Sequence, residues 1–209
     1  MKVIAFLGSP RKDGNTELLL NEAIKGIIAS GDSFSSANPP ECGTGREIPG
    51  SAVQIFNLNL MKISPCQDCG GCDETGRCIV EDEMSQIYNA IRTADRIILA
   101  SPVFFSGLSA QTKIMIDRCQ AFWCEKYLLK KPIPEGEFGR KGLLLLVGGM
   151  EKEAGIKCSE TTAKAFFRTI SVPEHKTLSF LGVDAKGAIL KQPSALKEAY
   201  EAGKELDRI

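Results

Sequence analysis

Four cysteines stand within thirteen residues, at Cys66, Cys69, Cys72 and Cys78, in the spacing C-x2-C-x2-C-x5-C. Thiolates are the usual ligands of iron–sulfur clusters, and the first three cysteines share the spacing of bacterial ferredoxin runs. A structural zinc ribbon normally pairs two C-x-x-C knuckles across a longer spacer, which this segment lacks. The run therefore favours a 4Fe-4S cluster, with zinc, disulfides and free thiols as the remaining alternatives.

A second polar segment runs from Gly8 to Thr16, with the sequence Gly-Ser-Pro-Arg-Lys-Asp-Gly-Asn-Thr. It lies between an apolar run and a helical pattern, where free backbone N–H groups and the helix dipole favour an anion. Five residues separate its glycines, so it is not a Walker A loop, and Pro10 excludes the dinucleotide fingerprint. The segment fits a single phosphate monoester; the alternative is that it only caps a helix.

The elements that position these segments alternate along the chain. Apolar runs predict buried strands at 3–7, 96–100 and 143–147, and further strands are expected at 53–58 and near 177–181. Helical spacing predicts helices after 15, from about 81, through 114–118, near 161–170 and from about 193. This order predicts an α/β fold in which ligands bind beyond the carboxyl ends of parallel strands, at the loops 8–16, 101–107 and 148–150.

The length of 209 residues predicts a single domain. A segment near 30–51 is rich in Gly, Ser and Pro and predicts a long insertion, and the cysteine-rich loop occupies about 64–80. Lys plus Arg equals Asp plus Glu at 26 each, so no net charge attracts the chain to nucleic acid. No apolar stretch reaches the roughly 20 residues that a membrane helix needs, and no secretory signal is visible, so a cytoplasmic location is expected.

The phosphate segment, together with Ser101-Pro-Val-Phe-Phe-Ser-Gly107 after the third strand, resembles the NADPH-dependent FMN reductase branch of the flavodoxin-like proteins. The stretch from Ile63 through Cys78 to Met84 resembles the iron–sulfur flavoproteins within that branch. The resemblance covers about residues 1–150. It implies a flavodoxin-like three-layer sandwich, a five-stranded parallel sheet of order 2-1-3-4-5 with helices on both faces, and a homodimer or homotetramer.

The resemblance also implies the cofactor-binding residues. Ser9, Arg11, Asn15 and Thr16 would hold the FMN phosphate, with Gly14 in the same loop. The isoalloxazine ring would lie between two segments, Pro102, Val103, Phe104, Phe105, Ser106 and Gly107 on one side and Gly148, Gly149 and Met150 on the other. Ordinary core packing is the alternative for Phe104 and Phe105.

These residues predict an FMN-dependent oxidoreductase in which the cofactors carry the chemistry, and no catalytic side chain is named. The only histidine, His175, is expected to be solvated or structurally bonded and not catalytic. In the leading interpretation, the protein transfers electrons from a ferredoxin-like donor to a small acceptor through a cluster and FMN. The alternatives are an NAD(P)H-dependent FMN or quinone reductase without a cluster, and a non-enzymatic electron carrier or redox sensor.

Overall fold

The computed structural model describes residues 1–30, 46–47, 53–136 and 138–207, and most of the predicted insertion lies outside these ranges. Five strands of the main sheet run parallel: β1 (Val3–Leu7), β3 (Val53–Asn57), β4 (Arg96–Phe104), β6 (Lys141–Val147) and β7 (Glu174–Phe180). Two short strands, β2 (Arg46–Glu47) and β5 (Gly107–Leu108), pair antiparallel with β3 and β4. The helices are α1 (Asn15–Ser30), α2 (Met84–Thr93), α3 (Ala110–Arg118), α4 (Gln120–Trp123), α5 (Ala154–Thr169) and α6 (Pro193–Asp207).

The parallel strands lie in the order β3-β1-β4-β6-β7. Counted among themselves, this is the order 2-1-3-4-5, so the predicted flavodoxin-like fold is confirmed. Helical crossovers link the parallel strands in chain order, as parallel pairing requires, and the crossover from β3 to β4 passes β1, which lies between them. Two apolar clusters pack on the two faces of the sheet, one with α2, α3 and α5 and the other with α1 and α6.

Some predicted boundaries were wrong. Residues 101–104 extend β4 instead of starting a loop, and β5 then folds back on β4. Helix α5 begins at Ala154, seven residues before the predicted start. A short π-helix, Cys124–Leu128, follows α4 where the sequence predicted no element. Among the described helices, none is long and apolar enough to cross a membrane.

Helices α1 and α6 pack backbone to backbone on one face of the sheet. A Cβ atom built on Gly203 of α6 would lie 1.9 Å from the Ala23 carbonyl oxygen of α1. A Cβ atom on Gly26 of α1 would likewise lie 2.0 Å from the Tyr200 carbonyl oxygen of α6. Glycine at both positions therefore sets the distance between the two helices.

Replacing Gly203 by alanine tests this packing. Alanine is the better helix former by about 1 kcal/mol, but the backbone contact leaves no room for its methyl group. We expect Gly203→Ala to lower the free energy of unfolding by about 1–3 kcal/mol, as overpacking does. Urea denaturation measures the change, and Glu201→Ala on the exposed side of α6 is the control. A more stable Gly203→Ala protein would contradict the packing argument.

Candidate functional site

A cavity of about 260 Å³ opens at the carboxyl ends of β1, β4 and β6. Every predicted cofactor-binding residue except Gly107 lines it. The residues from the prediction are Ser9, Arg11, Gly14, Asn15, Thr16, Pro102, Val103, Phe104, Phe105, Ser106, Gly148, Gly149 and Met150. We call this space the first cavity.

Residues between Gly8 and Thr16 form the polar part of the first cavity. Ser9 and Thr16 are buried, and the Thr16 hydroxyl has no hydrogen-bond partner among the described residues. The Asn15 amide donates to the Ala185 carbonyl at 2.9 Å and accepts from the Ile189 N–H at 3.3 Å. One Arg11 N–H donates to the Asp184 carbonyl at 2.9 Å. Asn15 and Arg11 therefore brace the segment after β7, while Thr16 keeps a donor available.

The apolar wall of the first cavity is the hairpin of β4 and β5, which has a two-residue turn. Phe104 pairs with Gly107, so Phe105 and Ser106 form the turn, with φ of 47° and 62°. Positive φ at both central residues matches the type I′ hairpin turn, which most often uses Asn and Gly. Phe105 is fully exposed, and Phe104 and Met150 are exposed by 43% and 62%. Three large apolar side chains therefore surround the mouth of the cavity.

Buried hydroxyl groups join this hairpin to the polar segment. The Ser109 hydroxyl donates to the Gly8 carbonyl at 2.7 Å, and the Ser109 N–H donates to the Ser101 hydroxyl at 3.1 Å. Thr112 lies within hydrogen-bond distance of both serines. A Cβ atom on Gly8 would lie 1.8 Å from the Thr112 hydroxyl, so this approach needs glycine. The network fixes the two walls of the first cavity relative to each other.

The cysteine-rich loop encloses a second cavity of about 270 Å³. All four predicted ligands, Cys66, Cys69, Cys72 and Cys78, line it, together with Arg118, Trp123 and Leu128. The four cysteines are free thiols, and Cys69 is the exposed one. The loop therefore directs four thiols towards one space.

Arg118, at the end of α3, connects both ends of this loop. Its guanidinium is 1% exposed and donates to the Ser64 carbonyl at 2.8 Å and to the Val80 carbonyl at 3.2 Å. It also pairs with Asp82 at 2.7 Å. Burial raises the pKa of Asp82, but the hydrogen bonds from Arg118 and from the Ser64 and Met84 amides outweigh it, so the pKa is lowered. The Arg118 Nε–H is buried and has no partner in the described part of the chain.

Cys124, to which the sequence assigned no role, lies beside the loop. Its sulfur is 3.6 Å from the Cys72 sulfur and 3.3 Å from an Asp73 carboxylate oxygen, to which it donates. Burial and the neighbouring Asp73 carboxylate raise the pKa of Cys124 to about 12. Burial likewise raises the pKa of Cys72. Both groups are therefore protonated thiols at neutral pH when no metal is bound.

Other residues of the first cavity were also missed. Val147, Lys152, Gly155, Leu181, Val183 and Asp184 complete the first cavity. Residues 181–184 follow β7, so the rule that loops at the carboxyl edge bind ligands could have found them. His175 is remote from this set of residues and stacks on Phe167 with ring centroids 4.8 Å apart.

The chain is similar in sequence to known iron–sulfur flavoproteins. An iron–sulfur flavoprotein of Methanocaldococcus jannaschii is 36% identical over 118 residues, which cover 56% of this chain and 51% of the relative. An iron–sulfur flavoprotein of Archaeoglobus fulgidus is 30% identical over 152 residues, 73% of this chain and 57% of the relative. The chain thus spans little more than half the length of these two relatives.

The fold has solved counterparts. The NAD(P)H:quinone oxidoreductase of Methanothermobacter marburgensis superposes with a TM-score of 0.66 at 14% identity, covering 100% of this chain and 98% of that one. At this identity the similarity concerns the fold alone. The sequence model of the NADPH-dependent FMN reductases matches residues 1–180. The chain therefore belongs to the NADPH-dependent FMN reductase family.

Proposed function

We propose that the chain is an FMN-dependent oxidoreductase that carries a 4Fe-4S cluster and passes electrons from a ferredoxin-like donor to a small acceptor. FMN would occupy the first cavity, and the cluster would occupy the second. The observation that supports this most directly is that one chain contains both cavities. The first combines a loop suited to a phosphate with an apolar wall, and the second is lined by four thiols. The names of the curated relatives point the same way.

The first cavity has the chemistry that FMN requires. A phosphate monoester needs hydrogen-bond donors at a helix N-terminus, which the start of α1 and the Ser9 and Thr16 hydroxyls provide. A flavin ring is flat and largely apolar, with polar edges. Phe104 and Met150 offer apolar surface to it, and the backbone at Gly148 and Gly149 offers polar groups to its edge.

The second cavity suits a cluster better than a single zinc ion. Tetrahedral zinc with Zn–S bonds of about 2.3 Å brings its sulfurs within about 3.8 Å of one another. Among the described residues, no three of the four loop sulfurs lie within 4.8 Å of one another, and the one such group of possible ligands joins Cys72 with Asp73 and Cys124. A cluster holds its thiolates farther apart, because each is bonded to a different iron. Arg118, whose charge is paired with Asp82, also lines this cavity, and its partnerless Nε–H would offer a hydrogen-bond donor to a thiolate-bound cluster.

Bound FMN supplies one- and two-electron chemistry, and a cluster supplies single electrons. The chain's own residues position these groups. Helix α3 begins just after the hairpin of the first cavity and ends at Arg118 of the second. A nine-residue helix is about 14 Å long. The two proposed centres are thus joined by one short rigid element.

A second candidate function is an NAD(P)H-dependent FMN or quinone reductase whose cysteines do not take part in turnover. The family description, which names NADPH as the donor, favours it. The two candidates differ in their electron donor. A third candidate, a non-enzymatic electron carrier or sensor, differs in showing no turnover with any acceptor.

Thr16→Val tests the phosphate loop. The substitution keeps the shape of the buried side chain and removes its hydroxyl donor. A hydrogen bond to a charged group is worth about 1.5–3 kcal/mol, so we expect FMN to bind about tenfold more weakly or worse. Quenching of flavin fluorescence measures the dissociation constant. Thr161→Val in α5, outside the first cavity, is the control, and equal affinity in the two variants would contradict the assignment.

Serine substitutions test the cluster ligands. Cys66→Ser, Cys69→Ser and Cys78→Ser each remove one thiolate, and we expect each to lose most of the iron and sulfide after anaerobic reconstitution. Cys158→Ser is the matched control, because Cys158 is an exposed thiol on α5. Iron and sulfide analysis with the visible spectrum provides the measurement. Zinc without sulfide in the wild-type protein would reject the cluster.

Rapid mixing distinguishes the electron donors. The reconstituted protein is mixed anaerobically with NADPH or with a reduced ferredoxin, and flavin absorbance is followed. We expect fast bleaching by the ferredoxin and slow bleaching by NADPH. Fast, saturable bleaching by NADPH, unchanged in Cys69→Ser, would favour the second candidate function.

A further inference from the structure

The fifth cysteine near the loop has a defined partner. Cys124 is 0% exposed and lies at the start of the π-helix, 52 positions from Cys72 in sequence. Their sulfurs are 3.6 Å apart. In the described part of the chain, no other pair of cysteine sulfurs forms such a hydrogen-bond contact, so Cys72 has one preferred neighbour.

We propose that Cys72 and Cys124 form a disulfide when the loop carries no cluster, and that this bond blocks cluster assembly until it is reduced. Formation of the disulfide does not depend on the proposed cluster. The block on assembly rests on the proposed function, because it requires that Cys72 be a cluster ligand. The two states exclude each other, since a Cys72 sulfur bonded to iron cannot also be bonded to Cys124.

The two sulfurs start close to bonding distance. A disulfide has an S–S distance of about 2.05 Å, so the sulfurs must approach by roughly 1.6 Å. Cys124 is held in a helix, whereas Cys72 lies in a loop next to Gly70 and Gly71 and is partly exposed. The loop side can therefore supply the movement.

The reaction balances with dioxygen as the oxidant. Two S–H bonds break and one S–S bond forms, while two protons and two electrons pass to dioxygen to give hydrogen peroxide. The Cys124 thiol already donates to Asp73, so an acceptor lies beside one of the departing protons. A dithiol reductant reverses the bond by thiol–disulfide exchange. The disulfide also protects Cys72 from oxidation to the sulfinic acid, which is irreversible for most cysteines.

Peptide mapping tests the bond directly. Cluster-free wild-type protein is reduced under argon, exposed to air, treated with an alkylating reagent and digested for mass spectrometry. We expect a peptide in which Cys72 is linked to Cys124 to be the main disulfide, and to disappear after treatment with dithiothreitol. Alkylated Cys124, together with disulfides among the loop cysteines or alkylated Cys72, would overturn the proposal.

Reconstitution tests the block. Air-exposed wild-type protein, freed of oxidant, is given ferrous iron and sulfide without a thiol reductant. We expect at least fivefold less cluster than in the reduced protein, and recovery after dithiothreitol. Cys124→Ser should keep most of its uptake after the same exposure, and Cys124→Ala repeats the test with a smaller apolar side chain. Cys158→Ser should behave like the wild-type protein.

The outcomes separate the two proposals. Equal loss of uptake in Cys124→Ser and in the wild-type protein would show that another oxidation blocks the loop, and would overturn the assigned role of Cys124. A reduced wild-type protein that takes up no iron or sulfide would reject the cluster, and with it the block. In that case peptide mapping would still decide whether the disulfide forms.

Discussion

Parallel pairing in register places the ends of β1, β4 and β6 at one edge of the sheet. Leu7 pairs with Ala100, and Ala100 pairs with Leu145. The segments that leave these strands therefore start from neighbouring points, although they are far apart in sequence. The first cavity results from this alignment, and the hydrogen bonds of Ser109 and Thr112 then fix the distance between its walls.

The same helix that follows the hairpin also organises the cysteine-rich loop. Arg118 ends α3 and binds the loop at Ser64, before the cysteines, and at Val80 and Asp82, after them. A buried guanidinium is costly to leave unpaired, so these contacts hold both ends of the loop firmly. The loop between them carries its four thiols around a cavity without regular secondary structure.

Much of this arrangement could be predicted from the sequence. Continuous apolar runs at 3–7 and 143–147 indicate strands buried on both faces, and such strands belong to a parallel sheet. Once the sheet is parallel, its loops must meet at the carboxyl edge, and this identified most of the first cavity. The strand order and the residues proposed to contact a flavin ring came from the resemblance to a family, because local patterns do not determine either.

The rest depends on contacts that leave no local pattern. Cys124 comes near Cys72 only because α4 and the π-helix return to the loop, and a lone cysteine in a helix gives no indication of this. The β4–β5 hairpin was missed because Phe105-Ser106 lacks the Asn-Gly pair that marks a type I′ turn. Helix α5 was predicted too short because Gly155, a poor helix former, stands in its first turn.

The turn at Phe105 has a cost for the molecule as a whole. A residue with a Cβ atom in the left-handed region is less stable there than glycine by roughly 1–2 kcal/mol, and both turn residues are of this kind. Phe105 recovers nothing by burial, because its ring is fully exposed. The turn therefore lowers the stability of the folded chain. Its result is an aromatic ring that is held in solvent at the rim of the cavity.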